Sequence, residues 1–122
     1  VSAMPEDCNN APRKMVIRDF LIALYGGDTA TLAELLHVDV DWQVIAGPTL
    51  TGADAAVSWA SSQPAAKDLV IHTVITHGTH CGADGVVEFA DGSRLAFNHV
   101  MLFAGHAKTA PIKTIRSYLI GL

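Results

Sequence analysis

The sequence predicts an α+β domain, with three helices set against one side of an antiparallel sheet. Three observations lead there. Apolar residues recur at helical spacing in three short segments before residue 63. A period-two run over 39–45 is inserted between the second and third of them. From residue 69 onward the chain becomes β-branched runs separated by Gly and Asp turn signals. With 122 residues, half of them hydrophobic, the chain can fill one core. It reads as a single domain over 11–122 behind a flexible tail over 1–10.

The first helix is expected over about 11–25. Asn10 can cap it, Pro12 suits a first turn, and Val16, Phe20, Leu21 and Leu24 form one stripe. Gly26 and Gly27 end it. Asp28 then caps a short helix through ATLAELL, with Leu32, Leu35 and Leu36 on its buried side. His37 falls in a connection. The run DVDWQVI alternates, placing Val40, Trp42 and Val44 on one face and Asp39, Asp41, Gln43 and Ile45 on the other. GPTLTG is turn chemistry, and it leads into a third helix over about 53–62, carrying Ala56, Val57, Trp59 and Ala60 and stopping before Pro64. QPAAKD is a surface segment.

Strands are expected over about 69–77, 85–89, 94–103 and 112–120, the last beyond the polar loop AGHAKTAP. HGTHCG reads as a turn. Asp91-Gly92 marks a hairpin, for which a two-residue loop and a three-residue bulged loop both fit; they pair Glu88 differently.

The net charge of −4 and the eight scattered Lys and Arg residues supply no field for a phosphate backbone, so nucleic acid is not an expected partner. No apolar run approaches the roughly 20 residues that cross a bilayer. Cys8 and Cys81 lack metal-ligand spacing and read as free thiols in a reducing compartment. The first residues lack the basic and apolar regions of a secretory signal, so the expected location is cytoplasmic. No cofactor is expected.

Four of the six histidines lie between residues 68 and 103. His99 stands out, because alternation puts it on the face of Phe97, Met101 and Phe103, where desolvation lowers the imidazole pKa and leaves a neutral acid/base or hydrogen-bonding group. The plainer alternative is a buried histidine satisfied by a carbonyl or a water. His72 shares a face with Val70, Val74 and Thr76; it either approaches His99 or decorates the outer face. His77 and His80 flank a turn without a carboxylate or thiolate partner, so no metal is expected there. His37 and His106 carry no role. Asp41 is the reserve carboxylate partner for His99, reachable only if a bulge reverses its strand.

The chain resembles the superfamily of ketosteroid isomerase and nuclear transport factor 2, including SnoaL-type cyclases. The resemblance rests on a helix ending in LYGGD, the TATLAELL helix, the strand VDVDWQV, a TG turn opening a helix, and the strands ADGSRLAFNHVMLF and IKTIRSYLI. It spans residues 13–119. It implies a curved sheet wrapped around the helices as a cone, an apolar pocket, and a homodimer through the outer sheet face, where Tyr118 would lie. On this resemblance the isomerase's oxyanion tyrosine falls on Phe20, its general-base aspartate on Val44, and its second oxyanion group on His99. Steroid isomerisation by that machinery is therefore rejected, since base and tyrosine donor are both missing.

Nor is the Asp/Arg/Asp arrangement of limonene epoxide hydrolases present, whereas scytalone dehydratase, another relative, works with pocket histidines. The implied pocket is lined by Phe20, Leu24, Trp42, Val44, Trp59, His72, Phe97, Met101, Ile115 and Ser117. The expected function is binding of a small apolar ligand. The alternative is a cofactor-independent isomerase, dehydratase or cyclase acting on a small hydrophobic or polycyclic carbonyl compound, with His99 as acid/base.

Overall fold

A computed structural model describes residues 12–122. The expected tail, Cys8 and the Asn10 cap lie outside the described residues. Helix α1 (Pro12–Gly26) buries Ile17, Phe20, Leu21, Leu24 and Tyr25, which i, i+3 and i+4 spacing gathers on one side. It ends in a Schellman turn. Gly27 adopts φ 75°, and the Asp28 N–H returns to the Ala23 carbonyl at 2.9 Å. Helix α2 (Thr29–Leu35) then starts on Asp28, whose carboxylate accepts the Thr31 N–H at 3.1 Å and the Thr31 hydroxyl at 2.7 Å.

Strand β1 (Leu36–Val44) follows at once, so His37 lies in a strand and not in a connection. The GPTLTG stretch holds a short strand, β2 (Thr49–Thr51), pairing Leu50 with Trp42, where turn chemistry alone was expected. Helix α3 (Ala53–Ser62) has the predicted bounds; its last turn folds the Ser61 and Ser62 hydroxyls back onto the Ser58 and Trp59 carbonyls before Pro64.

The remaining strands are β3 (Ala66–His77), β4 (His80–Phe89), β5 (Arg94–Phe103) and β6 (Ile112–Gly121). β3 takes in part of QPAAKD, which was expected as a surface segment. β4 begins five residues earlier than the alternation indicated, at His80 rather than Gly85. The turn shrinks to Gly78 and Thr79, with Gly78 at φ 60° and His77 paired to His80. Cys81 is therefore a buried strand residue between Thr76 and Met101, not part of a Gly-rich turn.

At the next hairpin the three-residue bulged loop is the one adopted: the Phe89 N–H donates to the Ser93 carbonyl, the Gly92 N–H to the Phe89 carbonyl, and Gly92 adopts φ 87°. Glu88 thus stands opposite Arg94, and Arg116 lies beside Val100 and Gln43, remote from it.

The six strands form one sheet in the order β2-β1-β6-β5-β4-β3. It is mixed, because β1 runs parallel to β6, against the expected all-antiparallel arrangement. Alternation tells which face a residue takes but not which strand lies beside it; this pairing joins the first long strand to the last across most of the chain.

Register shifts in β3, in β5 against β6, and in β1 against β6 mark bulges and irregularities. Bulges of this kind bend strands, and the sheet curves around α1 and α3. The α+β class and the helix-wrapping sheet are as the sequence predicts. Among the described residues no helix is long and apolar enough to cross a membrane.

Gly85 shows how tight the packing is. A Cβ there would lie 2.1 Å from the Val70 carbonyl oxygen and 2.8 Å from Phe97 Cζ. Only glycine lets β3 and the Phe97 ring approach β4 this closely.

Candidate functional site

The inner face of β5 carries Phe97, His99, Met101 and Phe103, all buried. His99 is 1% exposed and sits edge-on to Phe20, stacked on Phe97 at 5.3 Å and tilted against Tyr25. Burial drives its pKa from the usual value near 6.5 down to about 3. The imidazole is neutral across the physiological range.

Both ring nitrogens are engaged. Nε2 lies 2.7 Å from the Tyr25 hydroxyl, and Nδ1 lies 2.6 Å from Ser117 Oγ. Ser117 Oγ also accepts the Trp42 indole N–H at 2.8 Å. Ser117 and Trp42 are both fully buried, so a polar chain of four side chains crosses the core from β1 through β6 and β5 to α1. Burial in these apolar surroundings raises the Tyr25 pKa far above that of a free phenol, and the hydroxyl stays protonated.

Beside the Tyr25 end of this chain is a recess of about 300 Å3. Leu24 and Tyr25 of α1, Trp59 of α3 with Gln63 and Pro64 beyond it, and Phe89, Leu95, His99 and Leu119 of the sheet line it. No lysine, arginine, aspartate or glutamate is among those residues. Apart from the Tyr25–His99 pair on its wall, the Trp59 indole and the exposed Gln63 amide, the side chains lining the recess are apolar. No group of three or more His, Cys, Asp or Glu side chains among the described residues is placed to share a metal ion.

Of the expected pocket residues, Leu24, Trp59 and His99 line this recess. Phe20, Trp42, Val44, Phe97, Met101 and Ile115 face inward as alternation required, but they are core side chains packed beneath it. Ser117 touches His99, one layer behind the recess. Two candidates stay outside the site. His72 is exposed on the outer face with Asp68, Val70, Glu88 and Arg94, because Leu69 and Ile71 take the inner face; the register shift between Ile71 and Thr73 then turns Val74 inward, so Val70 and Val74 lie on opposite faces. Asp41 is exposed on the outer side of β1, since alternation runs unbroken from Val40 to Val44 and no bulge turns it toward His99.

Tyr25 is the residue that sequence reasoning missed. The family resemblance aligns the tyrosine position with Phe20, which has no hydroxyl, and Tyr25 lies one turn further along the helix, just before the glycines. Its signal was the i+4 step from Leu21, itself i+4 from Ile17, which keeps Tyr25 on the buried ridge of α1.

No family model and no curated protein matches the sequence. Solved structures do match. A nuclear transport factor 2-like protein of unknown function from Burkholderia xenovorans LB400 superposes with a TM-score of 0.76 at 12% identity, over 88% of this chain and 82% of that one. This chain has the nuclear transport factor 2-like fold.

A protein with a ketosteroid isomerase-like fold from Catenulispora acidiphila DSM 44928, solved in complex with trimethylamine, matches this fold at TM-score 0.69 and 16% identity, over 84% of this chain and 83% of that one. An epoxide hydrolase from M. tuberculosis, similar to limonene epoxide hydrolases, matches at 0.67 and 16% identity over 89% and 83%. Likenesses at this level of identity establish the fold alone.

Proposed function

We propose that this nuclear transport factor 2-like domain binds a small, largely apolar molecule in the recess between α1, the end of α3 and the sheet, anchoring one polar atom at Tyr25. The observation that carries the reading is the Tyr25–His99 contact of 2.7 Å on the wall of an apolar recess of about 300 Å3. An apolar cavity with a few convergent polar groups and a strongly shifted histidine is the usual form of a small-molecule site.

The test is titration of the labelled protein with neutral naphthalene-sized compounds, followed by amide chemical shifts. Saturable shifts at Leu24, Tyr25, Trp59 and Leu119, abolished when Leu119→Trp fills the recess, support the reading. Shifts confined to the outer sheet face defeat it.

The alternative is turnover, with His99 as acid/base in a cofactor-independent isomerisation, dehydration or cyclisation. The buried Tyr25–His99 pair favours it, since the contact links the imidazole to the recess through the phenol hydroxyl, a path along which a proton can be passed. Binding alone is preferred because no carboxylate lines the recess among the described residues.

A homodimer through the outer face belongs to the same reading. Ile75, Tyr118 and Ile120 are 62%, 40% and 63% exposed there, and self-association would cover them. A reducing cytoplasmic location is consistent with Cys81, a buried free thiol.

A further inference from the structure

The protons of the buried chain can be counted from one end. An indole N–H only donates, so Trp42 gives its proton to Ser117 Oγ at 2.8 Å. Ser117 has one proton of its own, and besides Trp42 the partner of its hydroxyl among the described residues is His99 Nδ1, at 2.6 Å. If Nδ1 accepts that proton, the single proton of the neutral imidazole sits on Nε2 and is donated to the Tyr25 oxygen at 2.7 Å. Among the described residues the Tyr25 hydroxyl is bonded to His99 Nε2, which in this polarity donates, so the Tyr25 proton is left to point away from the imidazole. Tyr25 and His99 both line the recess, so a ligand there can receive it.

The opposite polarity aims two N–H groups at Ser117 Oγ. It leaves the Ser117 proton without an acceptor at a residue that is 0% exposed. An unsatisfied buried hydroxyl disfavours that tautomer by about tenfold or more.

We infer that Trp42 and Ser117 are positioning residues that hold His99 in its Nε2–H tautomer, so that Tyr25 presents a hydroxyl proton to the recess and the site selects a neutral ligand carrying a hydrogen-bond acceptor such as a carbonyl or ether oxygen. A carboxylate is disfavoured, because the recess has no cation to offset the loss of water around a buried anion. A purely apolar ligand leaves the Tyr25 proton unpaired. The ligand half of this inference rests on the binding reading above; the tautomer half does not.

Two measurements separate them. In the ligand-free protein labelled with 15N at histidine, long-range proton–nitrogen correlations are expected to give His99 a pyridine-type shift at Nδ1 and a pyrrole-type shift at Nε2. The reverse assignment overturns the tautomer. Ser117→Ala is expected to move the equilibrium toward the Nδ1–H form, and Ser117→Thr, which keeps the hydroxyl, to restore the native pattern. An unchanged tautomer in Ser117→Ala overturns the positioning role. Should Ser117→Ala not fold, the wild-type and Ser117→Thr spectra still decide.

The binding arm uses three matched probes, 2-acetonaphthone, 2-isopropenylnaphthalene and 2-naphthoate, at pH 7.5. The ketone is expected to bind about tenfold tighter than the isosteric alkene and tighter than the anion. Ser117→Ala is expected to erase the ketone's advantage over the alkene, and Ser117→Thr to restore it. Equal affinity for ketone and alkene overturns the selection. Failure of all three to bind removes the ligand half together with the binding reading, and leaves the tautomer to be judged by its nitrogen shifts.

Discussion

Folding stability should fall with acid because of His99, and the size of the effect can be worked out. In the unfolded chain the imidazole takes up a proton below about pH 6.5, whereas in the fold burial holds its pKa near 3. Between those values the unfolded state binds one more proton, so stability is complete above pH 6.5 and is lost as pH drops, at up to about 1.4 kcal/mol per pH unit. From pH 7.5 to 5.0 this amounts to about 2 kcal/mol from one side chain.

The assay is urea unfolding followed by tryptophan fluorescence, for wild type and His99→Gln, at intervals across that range. Gln keeps a donor for the Tyr25 oxygen but does not titrate. Carboxylates titrate in both proteins, so the gap between the two isolates His99. The gap should shrink by about 2 kcal/mol on going to pH 5.0. A gap that stays constant, or a His99 ring resonance titrating near 6.5, would refute a buried neutral imidazole.

Three further outcomes are expected. Tyr25→Phe leaves a His99 ring nitrogen without its partner in a buried site and should cost about 1–3 kcal/mol of stability, read as a lower urea midpoint with an unchanged slope. Gly85→Ala forces a methyl against the Val70 carbonyl and the Phe97 ring and should cost about 1–3 kcal/mol or more; normal thermal stability would mean that β3 and β4 are not so closely apposed. If the outer face joins two copies, light scattering should give a dimer mass for the wild type and a monomer for Ile75→Lys/Ile120→Lys with the fold retained; a wild-type monomer at high concentration removes that proposal.

Much of the site was legible from local pattern. The inward parity of His99, Ser117 and Trp42, the outward parity of Tyr118 and Arg116, the Asp28 cap and the stop before Pro64 are all consequences of residues a few positions apart. Periodicity is a property of the backbone itself, so it can be read along the chain wherever the backbone is regular. It misleads where the backbone is irregular. The register shift after Ile71 moved Val74 inward, off the face that His72 shares with Val70; over 40–44, by contrast, burial alternates without a break and Asp41 stays outside.

The contacts that define the site lie beyond local pattern. Tyr25 and His99 are 74 positions apart, and Trp42 and Ser117 are 75 apart. The second pair meets only because β1 and β6 run parallel with Val44 beside Ser117, a pairing that alternation cannot express. By itself the sequence determined the element types, their order and which side chains turn inward, because these follow from steric preferences of neighbouring residues. Tertiary structure alone decided which inward side chains touch. That outcome depends on strand register and on packing a helix into a curved sheet, and it is what converts a solitary buried histidine into one end of a hydrogen-bonded chain opening on an apolar recess.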